Sequence, residues 1–369
     1  MKKKGVIASL SPTSSSSLPQ YLAKSMASFS DIEHVYPYQG KIRRYLIAVR
    51  TFHPKRQIWR DRFEKESEHR LSVWHDYSNQ IQKSASLLKP DFILQEGLHF
   101  NAFPSAYSGG KFLYLHGTLS MLLDSPYECS MWIPPKDEIK QWLEQESVIL
   151  SFADKILIGS NFLRKVLQKR YGVKESKIEF VGTGVPPFGQ NYFDERSPRS
   201  GKTLLFVGKD FERKGGYILL EAFRLLKIEI PDARLLMVGP HKIDMKLPEG
   251  AKLIGRVTDR EKLQSIFQKS DIFVMPTLHE SFGFVFLEAM SFGLPCIGTR
   301  MFAIPEIIED GITGLIIDTN NPLKLKDAMV HLINNPDKAR IMGRIGADKV
   351  LTHFSWDLVG KRIASVCNI

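Results

Sequence analysis

The chain has 369 residues, of which 43% are hydrophobic and 25% are charged, and its formal net charge is +11. This length exceeds what one ordinary hydrophobic core supports, so we expect two domains. The composition excludes a disordered or fibrous protein, and no window approaches ~20 uninterrupted apolar residues, which excludes a membrane-spanning helix. Cys129, Cys296 and Cys367 lie too far apart for a metal site or a disulfide framework, so we expect a reducing, cytoplasmic location.

Short β-rich runs alternate with helical patterns along the chain, and this alternation predicts parallel α/β layering. Strands are predicted in the first half over residues 5–10, 45–49, 92–95, 111–115, 155–158 and 178–181. Strands are predicted in the second half over residues 203–207, 233–238, 251–254, 272–275, 295–298 and 314–317. Helices are predicted between them, including residues 217–227, 260–269 and 322–334.

Residues 185–202, VPPFGQNYFDERSPRSGK, lack periodicity and are rich in proline, glycine and charge, which is typical of a linker. We therefore predict two domains, over residues 1–186 and 203–353, joined by a linker at 187–202. Ligands of open α/β domains bind at the carboxyl ends of the strands, so we expect a cleft between the two domains.

Basic and aromatic side chains interleave in KIRRYLIAVRTFHPKRQIWRDRF, residues 41–63, where the positive charge is densest. A solvated basic face is one interpretation, and contact with an anionic membrane or recognition of an acidic acceptor are the others. Nucleic acid also fits the charge, but no nucleic-acid-binding motif accompanies it, so we do not expect it as a partner.

The loop FVGKDFERKGG, residues 206–216, joins a predicted strand to a predicted helix. Such a turn presents backbone N–H groups to phosphate, and Lys209 and Lys214 flank it where their ammonium groups can converge on one anion. An ordinary polar loop with solvated charges is the alternative interpretation.

The segment HESFGFVFLEAMSFGLP, residues 279–295, carries Glu280 and Glu288 on either side of an apolar run. On one helix, eight residues would leave the two carboxylates roughly 80° apart and ~12 Å along the axis, so they would not pair. We therefore predict that Glu280 lies in a loop, that Ser281 caps the helix and that Glu288 lies within it. The helix N-terminus near Gly283 then suits a diphosphate, and the two carboxylates suit sugar hydroxyl groups on either side of it.

The arrangement Glu280-x7-Glu288 resembles the acidic signature of the retaining GT-B glycosyltransferases of family 4, the glycosyl transferases group 1, which are similar to glycogen and sucrose-phosphate synthases. The resemblance extends to GKDFERKG as the phosphate loop, to FGLPCIGT and IPEIIEDGITGLIIDTNNP beyond the acidic motif, to ADKILIGSNFLRKVLQKRYGVKESKIEFVGTGVP and to HFSWDLVGKRI. It is strong over residues 150–369 and loose over residues 1–150.

This resemblance implies an α/β protein of GT-B fold, in which two Rossmann-like, doubly wound parallel-sheet domains face each other across a cleft. Residues 1–186 would bind the acceptor, residues 203–353 would bind the donor, and a final helix at about 354–369 would pack back on the first domain.

The resemblance also assigns roles to single residues. Lys209 and Lys214 would neutralise the donor diphosphate, Glu288 would bind the ribose, Glu280 would contact the transferred hexose, and Val257 lies where the family seats the base. The residues expected at the donor are Lys209, Arg213, Lys214, Val257, Ser281, Phe282, Gly283, Phe284, Val285 and Glu288. The residues expected to take part in catalysis are Glu280, Lys214, His116 and Lys209.

His116 directly follows the predicted strand at 111–115, where a histidine of the family lies near the donor sugar. Lys209 stands where the family usually has arginine, and since lysine lacks the bidentate fork, Arg213 could supply it instead. Serines at residues 14–17 replace a glycine-rich turn, where they could contact phosphate or acceptor or form a surface loop. Phe302–Ala303 replace a pair of small residues in a loop that commonly lies near the donor in the family, so the choice of sugar could differ.

The resemblance implies retaining transfer of a hexose from a nucleotide-diphosphate sugar, such as a UDP- or GDP-hexose, to a hydroxyl group of a glycan, a lipid-linked or a small acceptor. The sequence has no Asp-x-Asp triplet of the kind that holds a nucleotide-bound divalent ion, so we expect no required metal. We also expect no other required cofactor. The alternatives are a sugar-nucleotide epimerase, another GT-B enzyme such as a phosphorylase, or a non-catalytic basic module that binds membrane or nucleic acid. Peripheral contact of residues 41–63 with the inner face of a membrane also stays open.

Overall fold

The computed structural model describes residues 2–10, 18–38, 40–55, 58–59, 62–63, 66–67, 69–125, 127, 133–186, 201–240 and 242–369. The chain divides into two units, each with its own sheet and core. One unit spans Met1–Gly184 and Trp356–Ile369, and the other spans Val185–Ser355. Residues 187–200 of the predicted linker lie outside the described part of the chain.

The first unit is built on a parallel sheet. Its strands are β1 (Lys3–Ala8), β2 (Ser30–Val35), β3 (Phe92–Glu96), β4 (Gly110–Leu115), β5 (Lys155–Ile158) and β6 (Ile178–Phe180), paired in the order β2-β1-β3-β4-β5-β6. Its helices up to β6 are α1 (Leu18–Met26), α2 (Lys41–Arg50), α3 (Leu71–Leu88), α4 (Leu119–Leu123), α5 (Ile139–Phe152) and α6 (Asn161–Tyr171), followed by a 3₁₀ turn at Glu175–Lys177. Ile93, Leu94 and Leu113 are fully buried, as expected of strands whose two faces are both covered.

The second unit is built on another parallel sheet. Its strands are β7 (Thr203–Val207), β8 (Arg234–Val238), β9 (Ala251–Gly255), β10 (Ile272–Met275), β11 (Cys296–Thr299) and β12 (Gly314–Ile317), paired in the order β12-β11-β10-β7-β8-β9. Its helices are α7 (Gly216–Glu229), α8 (Arg260–Gln268), α9 (Phe284–Ser291), α10 (Ile304–Ile307), α11 (Pro322–Asn334) and α12 (Pro336–His353). This strand order is that of a doubly wound dinucleotide-binding sheet.

The last helix, α13 (Trp356–Cys367), belongs to the first unit and packs on α1. The rings of Tyr21 and Trp356 stack with their centroids 6.1 Å apart. Gly360 lies against the carbonyl of Ser25 so closely that a Cβ at Gly360 would collide with it.

The predicted fold class, two α/β domains with parallel sheets, is confirmed. The strand predicted at 45–49 is wrong, because YLIAV lies in α2, and a short apolar run does not distinguish a strand from a helix. Strand β2 is an addition to the prediction, since SDIEHV at the edge of the sheet is largely polar. No helix in the described ranges is both long and apolar enough to cross a bilayer.

Candidate functional site

The second sheet has a topological switch point between β7 and β10, where the strand order reverses. Because ligands of doubly wound sheets bind outside the carboxyl ends of the strands at this point, the loops after β7 and β10 form the candidate site. These are the two loops that carry Lys209–Gly215 and His279–Gly283.

Backbone contacts hold these two loops together. The N–H of Leu278 donates to the carbonyl of Arg213 over 2.8 Å, and the hydroxyl of Thr277 donates to the same oxygen over 3.1 Å. Gly215, with φ of 75°, lies against the Pro276 carbonyl, and a Cβ at this position would collide with it. Only glycine fits such an approach in the left-handed region, so this loop junction depends on Gly215.

Lys214 and Glu280 form an ion pair in the site, and both side chains are largely buried, with 13% and 14% of their surface exposed. An Nη1 atom of Arg213 lies 3.8 Å from the same Glu280 oxygen. Burial by itself would raise the pKa of Glu280, but the charges of Lys214 and Arg213 outweigh it and lower that pKa below its usual value. The carboxylate is therefore ionised and balanced by cations.

Arg213 connects the loop after β7 to the loop after β10 through hydrogen bonds. Its Nε donates to Asp210 over 3.0 Å, and its Nη1 donates to the carbonyl of His279 over 2.8 Å. That carbonyl also accepts the hydroxyl of Thr277 over 2.8 Å. Sequence reasoning named Arg213 only as a substitute for Lys209 and missed this link, for which the Asp210-x-x-Arg213 spacing was the available signal.

Glu288 lies within α9, as predicted, and its side chain is half-buried. Among the described residues its carboxylate has no ion pair and no hydrogen bond. Burial raises the pKa of Glu288 to about 7, although the charges of Lys214 and Arg260 act in the opposite direction. A carboxylate without such a partner can accept hydroxyl groups of a ligand.

The start of α9 differs from the prediction that Ser281 caps the helix. The helix begins at Phe284, and Gly283, with φ of 107°, is the flanking residue, so no side chain caps the first turn. Phe282 is buried, and its ring lies 4.9 Å from that of Phe284 in the first turn of the helix. An N-terminus without a side-chain cap can instead be satisfied by an anion.

The other predicted donor residues lie on separate elements of the second unit. Lys209 is exposed at the start of the loop after β7. Val257 lies in the loop after β9, and Val257 and Val285 both pack against the core of the second unit.

His116 lies in the first unit, directly after β4. Its ring contacts that of Tyr114 edge to face, with centroids 4.7 Å apart. Burial lowers the pKa of His116 to about 3, so the imidazole is neutral. The serines at 14–17 lie outside the described residues, and so does Cys129.

A further pair of rings borders the Glu280 loop in the second unit. Phe302, in the loop after β11, contacts the His279 ring edge to face, with centroids 5.1 Å apart. Phe302 has φ of 43°, which costs a non-glycine residue about 1–3 kcal/mol. Sequence reasoning noticed Phe302 as a departure from the family, but no sequence signal predicts its contact with His279.

Residues 189–349 match the model of the family described as glycosyl transferases group 1. D-inositol 3-phosphate glycosyltransferase of Corynebacterium urealyticum is 29% identical over 246 residues, which are 60% of this chain and 58% of that protein. Phosphatidyl-myo-inositol mannosyltransferase of Mycobacterium leprae is 31% identical over 177 residues, which are 46% of this chain and 47% of that protein. The chain thus matches less than two thirds of the length of either relative.

Solved structures resemble the chain over its whole length. Sucrose-phosphate synthase from Thermosynechococcus elongatus has a TM-score of 0.74 at 15% identity and matches 100% of this chain with 98% of its own. Anabaena HepE in complex with UDP has a TM-score of 0.69 at 14% identity, with 100% of both chains matched. The chain therefore has the GT-B fold, and its residues 189–349 are similar to the glycosyl transferases group 1.

Proposed function

We propose that this chain is a retaining glycosyltransferase of family 4, which transfers a hexose from a nucleotide-diphosphate sugar to an acceptor hydroxyl. The Lys214–Glu280 ion pair carries this proposal, because it puts a cation and a carboxylate side by side at the switch point of the second sheet. A diphosphate needs the cation, and sugar hydroxyl groups need the carboxylate. The names of the curated relatives support a transfer of sugar, and the UDP bound to Anabaena HepE supports this donor class.

The donor, a UDP- or GDP-hexose, would span the site from the base to the hexose. Val257 would contact the base, and Glu288 would accept the two vicinal hydroxyl groups of the ribose. Lys214, with Lys209 at the rim, and the N-terminus of α9 would hold the diphosphate. Glu280 would then accept hydroxyl groups of the hexose.

Transfer breaks the bond between the anomeric carbon and the β-phosphate oxygen, and it forms a bond from that carbon to the acceptor oxygen on the same face. Lys214 and the N-terminus of α9 stabilise the charge that develops on the leaving diphosphate. The departing phosphate oxygen takes the proton of the acceptor hydroxyl, so the reaction needs no separate protein base. His116 belongs to the first unit, and its contact with a sugar hydroxyl stays a prediction from the resemblance.

Product analysis with the wild-type chain tests this proposal. UDP- and GDP-hexoses are incubated with a glycan, with an inositol phosphate or with phosphatidylinositol, the last two suggested by the names of the relatives. We expect acceptor-dependent release of the nucleoside diphosphate and, by NMR, a glycoside with the anomeric configuration of the donor. An inverted glycoside would contradict retention. An epimerised donor formed without acceptor would indicate an epimerase, and a sugar phosphate formed from free phosphate would indicate a phosphorylase.

The proposed transfer uses Lys214 rather than a metal ion to balance the diphosphate. In the described ranges, no three His, Cys, Asp or Glu side chains form a group that could hold a metal ion. Because Lys214 balances the diphosphate in this proposal, we expect the same rate with and without EDTA in the product assay, and a loss of activity in EDTA that Mg²⁺ restores would contradict this part of the proposal.

We also propose that α2 contacts an anionic membrane. Tyr45, Leu46, Val49 and Phe52 are between 59% and 69% exposed, although they are large and apolar. The basic residues Lys41, Arg44 and Arg50 are exposed on α2, which carries Tyr45, Leu46 and Val49 and ends two residues before Phe52. Apolar and cationic side chains on one exposed helix suit a negatively charged lipid surface.

Flotation with vesicles tests this contact. The chain should float with phosphatidylcholine vesicles that contain phosphatidylglycerol and stay behind with phosphatidylcholine alone. Replacing Leu46 and Phe52 by serine should abolish flotation, whereas the same change at the exposed Leu323 and Ile341 of the second unit should not. Equal flotation of the two double variants would contradict the proposal. So would a wild-type chain that does not float. Binding of DNA with equal strength would favour the nucleic-acid alternative.

A further inference from the structure

The loop after β11 holds a bulky side chain in a conformation that favours glycine. Phe302 has φ of 43°, a region that aromatic residues rarely adopt. Strained residues persist where the surrounding structure fixes them, and they cluster at sites of function. The strained backbone of Phe302 therefore suggests that its ring has a function.

The ring of Phe302 lies beside the residues that surround Glu280. It contacts the ring of His279, the residue directly before Glu280, with centroids 5.1 Å apart. The hydroxyl of Thr299 donates to the carbonyl of Thr277 over 2.8 Å, which ties the end of β11 to the end of β10. The loop that carries Phe302 is thus anchored to the loop that carries Glu280.

His279 provides a rigid and uncharged support for this ring. Only 3% of its surface is exposed, and within the described part of the chain neither ring nitrogen has a hydrogen-bond partner. Burial lowers the pKa of His279 to about 4, and the nearby charges of Arg213 and Lys214 act in the same direction. A neutral imidazole packs against an aromatic ring without placing a further positive charge beside Arg213 and Lys214.

We propose that Phe302 determines the specificity for the transferred sugar, because its ring, fixed on His279, forms a wall of the hexose subsite next to Glu280. Phe302 is half-buried and packs against the core of the second unit, which holds it in place beside His279. A fixed aromatic wall excludes a bulky substituent on the sugar, so the chain should accept hexoses and reject N-acetylhexosamines. This inference rests on the proposed function of the second unit.

The test compares Phe302→Gly and Phe302→Ala with the wild type. Thermal shifts are measured with UDP and with GDP alone. Thermal shifts and turnover are then measured with glucose, galactose and N-acetylglucosamine attached to the nucleotide that the wild type binds. Both variants should gain roughly tenfold in kcat/KM for the N-acetylhexosamine relative to the hexose, with unchanged affinity for the nucleotide alone. Phe302→Gly should melt at a higher temperature than Phe302→Ala, because only glycine relieves the backbone strain.

Asn320→Gly is the matched control, since Asn320 also has a positive φ, of 54°, but lies in the loop after β12. It should leave the sugar preference unchanged. The same sugar preference in all variants and the wild type would overturn the role of Phe302, even if donor binding is intact. If the wild type binds no nucleotide sugar, the proposed function of the second unit fails, and this inference fails with it.

Discussion

Replacing Lys214 by methionine is expected to lower kcat by roughly 10²–10³-fold, the usual effect of removing one donor that stabilises developing negative charge. The variant removes the ammonium group and keeps most of the apolar stem. Binding of the donor should weaken less than turnover slows, because the nucleotide keeps its contacts with Glu288 and Val257. Steady-state kinetics with the donor found by product analysis measures both effects.

A control and a double variant separate chemistry from stability. Lys252→Met removes an exposed lysine of β9 and should change neither kcat nor the melting temperature. Lys214→Met alone should also lower the melting temperature, since it leaves the buried Glu280 carboxylate with only the more distant Arg213. Adding Glu280→Gln should restore stability but not turnover. A Lys214→Met variant with wild-type kcat would contradict the proposed role of this residue.

Replacing Glu288 by glutamine is expected to raise the Kd of the nucleotide-sugar donor by roughly 10- to 100-fold, because charge-assisted hydrogen bonds to two hydroxyl groups are lost. The pKa of Glu288 is about 7, so the wild type should also bind the donor more weakly as the pH falls below about 7 and the carboxylate is protonated. The variant should lack this part of the pH dependence. Calorimetric titrations at several pH values measure it, and an identical pH profile for both proteins would contradict the assignment of Glu288.

The same carboxylate should make the stability of the fold depend on pH in the opposite sense to donor binding. Donor binding weakens as the pH falls, whereas the contribution of Glu288 to stability is lost as the pH rises. Its pKa is raised in the folded state, so the folded state holds this proton more tightly than the unfolded state does. The stabilising contribution is complete below the ordinary pKa of 4.5 and is lost as the pH rises through about 7. Glu288→Gln should therefore gain in melting temperature relative to the wild type as the pH rises across this window.

The strands that build the candidate site were predictable, because each is a short apolar run between turn-forming residues. Residues 203–207, 272–275 and 314–317 match β7, β10 and β12 residue for residue. The spacing of Glu280 and Glu288 also predicts correctly that one lies in a loop and the other in a helix. These features depend only on local pattern and on the geometry of the helix.

The contacts between loops were not predictable. Lys214 and Glu280 are 66 residues apart in the chain, and their pairing depends on the adjacency of β7 and β10. The start of α9 at Phe284 rather than after Ser281 follows from the left-handed backbone of Gly283, since serine is the more usual cap. The strained contact of Phe302 with His279 likewise depends on tertiary structure.

Donor binding by the second unit is the central claim, and thermal unfolding with nucleotide sugars tests it most directly. The wild type, Glu288→Gln and Lys252→Met are melted with UDP, GDP and their hexose conjugates. The proposal predicts a rise in melting temperature with one nucleotide series for the wild type and Lys252→Met, and a much smaller rise for Glu288→Gln. The absence of any shift with every nucleotide and nucleotide sugar at millimolar concentration, or an equal shift in all three proteins, would contradict it.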